Sequence, residues 1–125
     1  MIYLDTHVAV WLYDGELERL PRLAKELLEE HALRVSPMVV LELRYLYETD
    51  RITVDAPAIV EYLESAVGMR VCAIPFNRVV VEGLSIDWTR DPFDRLIIAQ
   101  ARAAQSRLLT KDRTIRSNVD FAVWD

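Results

Sequence analysis

The sequence predicts a three-layer α/β/α fold in which helices cover both faces of a mostly parallel, four- to five-stranded sheet. Short apolar segments typical of buried strands alternate along the chain with segments of helical periodicity. Strands separated by helices pair in parallel, because such a connection has to cross over one face of the sheet. The 125 residues include only 3 glycines and show no repeat or linker, so we expect a single domain over residues 1–125.

Local signals at the helix ends define the predicted elements. Ser36-Pro37 and Asp91-Pro92 each place a capping side chain before a proline at the first helical position, and Gly68 is suited to end the helix before it. The predicted strands are residues 2–4, 33–35, 71–74, 107–110 and 121–123. The predicted helices are residues 6–13, 20–30, 37–48, 58–66, 77–84, 92–104 and 112–116.

The composition indicates a protein of a reducing compartment. No apolar run approaches the ~18 residues that cross a bilayer, and Asp5 and His7 interrupt the segment where a secretion signal would be apolar. Cys72 is the only cysteine, which excludes an internal disulfide and a cysteine-built zinc site. We expect Cys72 to be a small core residue. These features predict a cytoplasmic protein without a membrane partner.

The net charge of −5 argues against a general nucleic-acid-coating protein, which is normally basic. The charge is unevenly distributed. Residues 1–64 hold 13 acids and 6 Lys or Arg, whereas residues 90–116 hold 3 acids and 7 Lys or Arg. Two interpretations fit the basic segment: local contacts to phosphate groups beside an acidic centre, or a solvated helix face.

Four carboxylates stand where predicted strands end or helices begin: Asp5, Glu42, Asp94 and Asp112. In open α/β sheets, ligands bind outside the carboxyl ends of the strands. Acids that converge there form a site for a hard divalent cation. The set therefore predicts a metal-dependent phosphodiesterase.

Most of these acids also have a purely structural explanation. Asp5 and Asp112 stand where they would cap the helices that follow them, and Asp91 is the natural N-cap before Pro92. Asp94 then falls in the first turn of the same helix, where the helix dipole favours a negative charge. Taken singly, none of these residues indicates a metal site.

Glu42 carries more information. Its neighbours three and four positions away on the predicted helix are Met38, Val39, Tyr45 and Leu46. A carboxylate on such an apolar face needs a partner, which either a structural arginine or a shared cation would supply. If the four acids converge, repulsion of about 4 kcal/mol between charges about 4 Å apart favours the cation. Oxygen ligands without clustered His or Cys indicate Mg²⁺ or Mn²⁺.

Other catalytic patterns are absent. Three scattered glycines do not form a phosphate-binding loop or a dinucleotide fingerprint, and the sequence has no Gly-x-Ser-x-Gly elbow. Four aromatic residues are suited to stacking on bases, but packing in the core or in an interface is the favoured explanation: Trp11, Tyr13, Tyr45 and Tyr47.

The segments that hold the four acids resemble those of PIN-domain ribonucleases of the VapC toxin type, over nearly the whole chain. The most specific segment is Asp91-Pro92-Phe93-Asp94-Arg95-Leu96. Three further segments match in the same order: Ile2-Tyr3-Leu4-Asp5-Thr6-His7, Ser36-Pro37 leading into Leu41-Glu42-Leu43, and Leu108-Leu109-Thr110-Lys111-Asp112. One departure is visible, because many relatives carry histidines just before the Asp-Pro-Phe-Asp stretch and this chain has Trp88-Thr89-Arg90.

The resemblance implies that Asp5, Glu42, Asp94 and Asp112 are the catalytic, metal-binding acids and that Thr110 occupies the hydroxyl position before the last acid. It implies an Mg²⁺- or Mn²⁺-dependent endoribonuclease toxin that cleaves RNA with a metal-activated water. It also implies a homodimer and a cognate antitoxin protein whose C-terminal segment fills the toxin groove.

We expect four residues around the acids to bind the RNA substrate: Thr110, Arg90, Arg95 and Lys111. Two alternatives to a nuclease remain at this point. A receiver-like signalling domain is also a small acidic α/β unit, but it would carry an acidic pair after the first strand, where Asp5 stands alone. A catalytically silent PIN-like binding module would be expected to lack one of the four acids, and all four are present.

Overall fold

The computed structural model describes all 125 residues and arranges five strands and seven α-helices in three α/β/α layers. The strands are β1 (Ile2–Leu4), β2 (Leu33–Val35), β3 (Arg70–Val71), β4 (Arg107–Leu109) and β5 (Ala122–Val123). The helices are α1 (Thr6–Asp14), α2 (Arg22–Glu30), α3 (Pro37–Glu48), α4 (Ala56–Val67), α5 (Phe76–Gly83), α6 (Pro92–Ala103) and α7 (Arg113–Asn118), with a 3-10 turn at Leu17–Arg19. The predicted fold class is confirmed.

The sheet has the strand order β3-β2-β1-β4-β5, and every neighbouring pair is parallel. The sequence predicted a mostly parallel sheet; the sheet is entirely parallel. From the central strand β1 the chain builds the sheet first toward β3 and then returns to add β4 and β5 on the other side. The carboxyl ends of β1 and β4 therefore flank the position where the strand order reverses, which is the usual ligand site of such sheets.

The two strands at this position are anchored in the core. Ile2, Leu4, Leu108 and Leu109 are fully buried, as expected for parallel strands covered by helices on both faces. They belong to one continuous cluster of 28 buried apolar residues, so the core does not divide at the site. The loops that leave β1 and β4 consequently start from fixed positions.

The predicted helix caps form at both proline-containing starts. The Ser36 hydroxyl accepts a hydrogen bond from the Met38 amide at 3.0 Å, and Asp91 Oδ1 accepts one from the Phe93 amide at 2.9 Å. Gly68 ends α4 in the left-handed conformation, with φ of 68°. These caps fix where α3 and α6 begin, and therefore the height of Glu42 and Asp94 above the sheet.

Several predicted boundaries are wrong for identifiable reasons. β3 has two residues instead of four, because β2 ends at Val35, whose carbonyl accepts a final hydrogen bond from the Cys72 amide at 2.8 Å. α2 begins two residues later than predicted, because Pro21 occupies its N-cap in an extended conformation. α4 begins two residues earlier, because the Asp55 carboxylate caps it. No helix combines the length and the apolar character that a bilayer crossing requires.

Candidate active site

Five carboxylates line one open cleft of about 680 Å³ beside the carboxyl ends of β1 and β4. Four are the predicted acids Asp5, Glu42, Asp94 and Asp112, and the fifth is Asp91. The four predicted acids come from the end of β1, from α3, from α6 and from the loop before α7. The fold therefore brings together side chains that are remote in the sequence.

Asp5 is the most enclosed of these acids. It is 9% exposed and caps α1 by accepting a hydrogen bond from the Thr6 amide at 2.8 Å. Its second oxygen, Oδ2, accepts a hydrogen bond from the Thr110 hydroxyl at 2.6 Å. Burial raises the pKa of Asp5, and the hydrogen bonds from Thr110 and Thr6 and the nearby His7 oppose that rise. Asp5 therefore both caps α1 and lines the cleft.

Glu42 projects from α3 into the same cleft and is half-buried. The Thr6 hydroxyl donates a hydrogen bond to Glu42 Oε1. No Lys or Arg forms an ion pair with it, so the arginine partner considered from the sequence does not exist in the structure. Burial raises the pKa of Glu42; the Thr6 hydrogen bond opposes this rise and the negative charge of Asp5 adds to it.

Asp91 and Asp94 lie one turn apart at the start of α6. The predicted cap is confirmed, because Asp91 Oδ1 accepts from the amides of Phe93 and Asp94 at 2.9 and 3.3 Å. The Asp94 carboxylate accepts no hydrogen bond in the structure and faces its acidic neighbours. Burial raises its pKa to about 7, and the charges of the other four acids, with Asp91 first among them, contribute to the rise. Asp94 is thus the carboxylate whose negative charge is least compensated by hydrogen bonds.

Asp112 is exposed at the rim of the cleft. Its Oδ1 accepts a hydrogen bond from the Ile115 amide at 3.0 Å and thereby caps α7. Its own amide donates to the Thr110 hydroxyl at 3.1 Å. Thr110 thus connects the loop that carries Asp112 to the carboxylate of Asp5.

The position of Thr110 argues against a direct contact with the substrate. The side chain is fully buried, and its hydroxyl both donates to Asp5 and accepts from the Asp112 amide. The Thr110 hydroxyl uses both its donor and its acceptor function within the protein, where it connects Asp5 to the loop of Asp112. It does not face the cleft opening.

The three predicted basic contacts have different locations. Lys111 lines the cleft, and so does Arg113, which was not among the predicted contacts. Arg90 is exposed but is not part of the cleft wall. Arg95 points away from the acids, because its Nε donates to the carbonyl of Gly83 at 2.8 Å and caps the end of α5. Arg95 is therefore not part of the cleft wall. Arg113 had a sequence signal, since it directly follows Asp112.

The donor set fits a hard divalent cation by its chemistry. The five ion pairs of the structure involve none of the five cleft acids, so protein cations do not neutralise them. As positioned, however, the side chains form no cluster of three or more His, Cys, Asp or Glu able to hold one metal ion. Four of the five carboxylates accept hydrogen bonds from hydroxyl or amide donors of the protein.

Comparison with known proteins places the chain among relatives of the kind suggested by its motifs. The PIN domain family matches residues 2–120. Ribonuclease VapC22 of Mycobacterium tuberculosis is 36% identical over 120 residues, which covers 94% of this chain and 91% of that protein.

Two solved toxin–antitoxin structures have the same fold. VapBC2 from Rickettsia felis, bound to a DNA fragment from its promoter, aligns over 100% of both chains with a TM-score of 0.69 and 17% identity. A toxin–antitoxin complex from Klebsiella pneumoniae aligns over 98% of this chain and 96% of that chain, with a TM-score of 0.69 and 16% identity.

Proposed function

The chain belongs to the PIN-domain family, as a relative of the VapC ribonucleases, and from this premise we propose that it is an Mg²⁺- or Mn²⁺-dependent endoribonuclease, the toxin of a toxin–antitoxin pair. The observation that carries the proposal is the acid cleft. Five carboxylates line it without one neutralising ion pair, at the position where α/β sheets bind their ligands.

The proposed metal ligands are Asp5, Glu42, Asp94 and Asp112. When bound, the cation supplies charge neutralisation at a phosphate group and a lower pKa for a water molecule. The protein fixes Asp5 through Thr110 and Thr6, so this carboxylate provides the rigid side of the site. Asp94, whose carboxylate accepts no hydrogen bond, is the acid freest to turn toward an ion.

The chain's own residues also prepare the substrate phosphate for attack. Lys111 and Arg113 stand in the cleft wall and would bind non-bridging or flanking phosphate oxygens through charge-assisted hydrogen bonds. Asp112 or Glu42 would orient the attacking water. In-line attack at phosphorus with departure of the 3′ oxygen leaves a 5′-phosphate and a 3′-hydroxyl end.

The proposed partners are the RNA substrate, a cognate antitoxin and a second copy of the chain. The antitoxin is supported by two solved structures of the same fold, which are toxin–antitoxin complexes. The second copy is supported by an apolar surface on α5, the α5 face, which we define as Phe76, Val80, Val81 and Leu84; these side chains are 36–68% exposed. We assign the protein to the cytoplasm, in line with its single cysteine.

Cleavage of single-stranded RNA by purified protein, with and without Mn²⁺ or Mg²⁺, tests the proposal. We expect cleavage with either cation and none in excess chelator, with 5′-phosphate ends on the products. Asp5→Asn and Asp94→Asn should each abolish cleavage while the protein stays folded. Asp87→Asn, which changes an exposed acid outside the cleft, is the matched control and should retain full activity. Full activity in Asp94→Asn would reject the assignment.

A further inference from the structure

A second cavity of about 350 Å³ lies beside the acid cleft. Its volume falls in the range of about 300–1,000 Å³ that is usual for sites of small organic groups. The two cavities have two wall residues in common, His7 and Trp11. A group bound in the second cavity would therefore be continuous with one bound among the acids.

The walls of the second cavity combine a buried apolar floor with a polar rim. Val10, Leu46 and Ile59 form the floor and are 9%, 4% and 2% exposed. The rim includes the exposed Arg19, Arg51 and Thr53 together with the acids Asp14 and Glu16, and Arg19 forms an ion pair with Glu16. An apolar floor below hydrogen-bonding and charged groups suits a flat heteroaromatic ring that is attached to a charged backbone.

Trp11 lies close to one cation from each of the two cavities. The guanidinium carbon of Arg19, in the second cavity, lies 5.6 Å from the centre of the Trp11 ring. The ammonium nitrogen of Lys111, in the acid cleft, lies 5.8 Å from it. Both distances are within the roughly 6 Å over which a cation is attracted to an aromatic face. Proteins that bind single-stranded nucleic acids combine cations that contact the backbone with aromatic rings on which bases stack.

We infer that the second cavity is a nucleoside subsite, which takes the base of the nucleotide next to the cleaved phosphodiester of single-stranded RNA. The inference rests on the proposed function. Trp11 and Tyr13 provide aromatic walls for the base. Arg19 exchanges its ion pair with Glu16 for the phosphate that follows the base, while Lys111 remains at the phosphate among the acids. Splayed-out bases stacked on aromatic side chains are the usual means by which proteins read single-stranded RNA. The cavity would then set a base preference at one position beside the cut.

Binding of small probes tests the subsite without any cleavage. The probes are the four nucleoside 5′-monophosphates and ribose 5-phosphate, which lacks a base, titrated by calorimetry or NMR. We expect at least one nucleotide to bind about tenfold more tightly than ribose 5-phosphate, as base–aromatic stacking predicts. Equal affinity for all five probes would overturn the subsite.

Two pairs of variants locate the binding. Thr53→Trp fills the rim of the cavity, and Ala66→Trp adds the same side chain at an exposed position of α4 outside both cavities. Arg19→Gln removes the charge beside Trp11, and Arg22→Gln removes an exposed charge outside both cavities. Thr53→Trp and Arg19→Gln should each abolish the advantage of the nucleotide over ribose 5-phosphate. The two control variants should retain it.

Cleavage of a random single-stranded RNA pool, followed by sequencing of the cut ends, tests the base preference. Wild type and Ala66→Trp should favour one base at a position beside the cut, and Thr53→Trp should lose that preference. If RNA is cleaved but the probes bind equally, the subsite fails and the proposed function stands. If the probes follow the expected pattern but RNA is not cleaved, the proposed function fails instead. If Thr53→Trp leaves RNA cleavage and its base preference unchanged and only weakens inhibition by the antitoxin, the cavity belongs to that partner and the inference is overturned.

Discussion

The hydroxyl of Thr110 donates a hydrogen bond to Oδ2 of Asp5 at 2.6 Å, across 105 positions of the sequence. The two residues follow the neighbouring strands β4 and β1, whose parallel pairing brings them side by side. Because both are buried, this bond offsets part of the cost of enclosing the carboxylate. It also links the loop carrying Asp112 to the base of the acid cleft through the Asp112 amide.

Replacing Thr110 by valine should destabilise the protein and impair the site together. Loss of a buried hydrogen bond to a carboxylate costs about 1–3 kcal/mol. In the wild type the Thr110 hydroxyl favours the charged form of Asp5, so its loss should raise the pKa of Asp5 further. We expect a lower free energy of unfolding by chemical denaturation and weaker RNA cleavage. Thr110→Ser keeps the hydroxyl and should restore most of both. Wild-type stability and activity in Thr110→Val would contradict the role of this bond.

Asp94→Asn should stabilise the metal-free protein at pH 8 although it abolishes cleavage. The neighbouring acids repel the charge of Asp94, and asparagine removes that charge with little change in shape. Removing such a carboxylate relieves like-charge repulsion. Thermal unfolding in chelator should give a higher midpoint for Asp94→Asn than for wild type at pH 8 and equal midpoints near pH 4. Asp87→Asn should match wild type at both values; a lower midpoint for Asp94→Asn at pH 8 would contradict the repulsion.

The stability of the metal-free protein should fall as the pH rises from about 4 to about 7. The pKa of Asp94 is about 7 in the fold, against an ordinary value of 3.8. Between these values the folded state binds more protons than the unfolded state, so a rise in pH favours unfolding. At 1.36 kcal/mol for each pH unit the limit is about 4 kcal/mol, and solvent around this half-exposed group reduces it to about 1–2 kcal/mol. Denaturation at a series of pH values in chelator measures this slope, which should be smaller in Asp94→Asn because only the raised pKa values of Asp5 and Glu42 then remain.

Divalent cations should counteract the fall in the stability of the protein as the pH rises. Mn²⁺ competes with the proton for the Asp94 carboxylate, so the stabilisation by Mn²⁺ should be larger at pH 8 than at pH 5.5. A ligand at about 100 times its dissociation constant stabilises the folded state by about 2.7 kcal/mol. Thermal unfolding with and without Mn²⁺ measures this difference in wild type and in Asp94→Asn. Equal stabilisation of both proteins at both pH values would place the ion elsewhere.

The α5 face should mediate self-association. Val81 is 65% exposed on it, and a charge there would be buried between two copies without a partner. Val81→Glu should lower the measured mass in solution from that of a dimer to that of a monomer, by light scattering after size exclusion. Val67→Glu introduces the same change at a 44% exposed valine on α4 and should remain dimeric. A dimer in both variants would assign the interface to another surface.

Local sequence signals predicted most of the helices and strands well. Ser36 and Asp91 define helix starts through contacts with residues two or three positions away, so they are visible without knowledge of the fold. The end of β3 cannot be predicted from the local sequence, because it depends on where the carbonyl groups of the neighbouring strand β2 stop accepting hydrogen bonds. The Ser36 hydroxyl also donates to Gln100 Oε1 at 3.1 Å and joins α3 to α6, a contact that no pattern along the chain indicated.

In the candidate site, too, some features were visible in the local sequence and others depended on contacts between distant elements. Its acids were identifiable because their positions relative to strand ends and helix starts are sequence features. The role of Thr110 and the orientation of Arg95 were not, because each depends on a neighbour supplied by another element. Membership of the PIN-domain family removes the receiver-like alternative, since the match extends over residues 2–120. The second cavity was also invisible in the sequence, because α1, α3 and α4 each contribute part of its wall.

The most direct test of the central claim is the anomalous scattering of manganese in crystals of the wild-type protein soaked in Mn²⁺. We expect a peak in the acid cleft, with carboxylate oxygens of Asp5 and Asp94 among the ligands of the ion at about 2.1 Å. The same soak of Asp94→Asn crystals should give a weaker peak or none. A cleft without manganese at saturating concentration, or an ion held by other residues, would contradict the account.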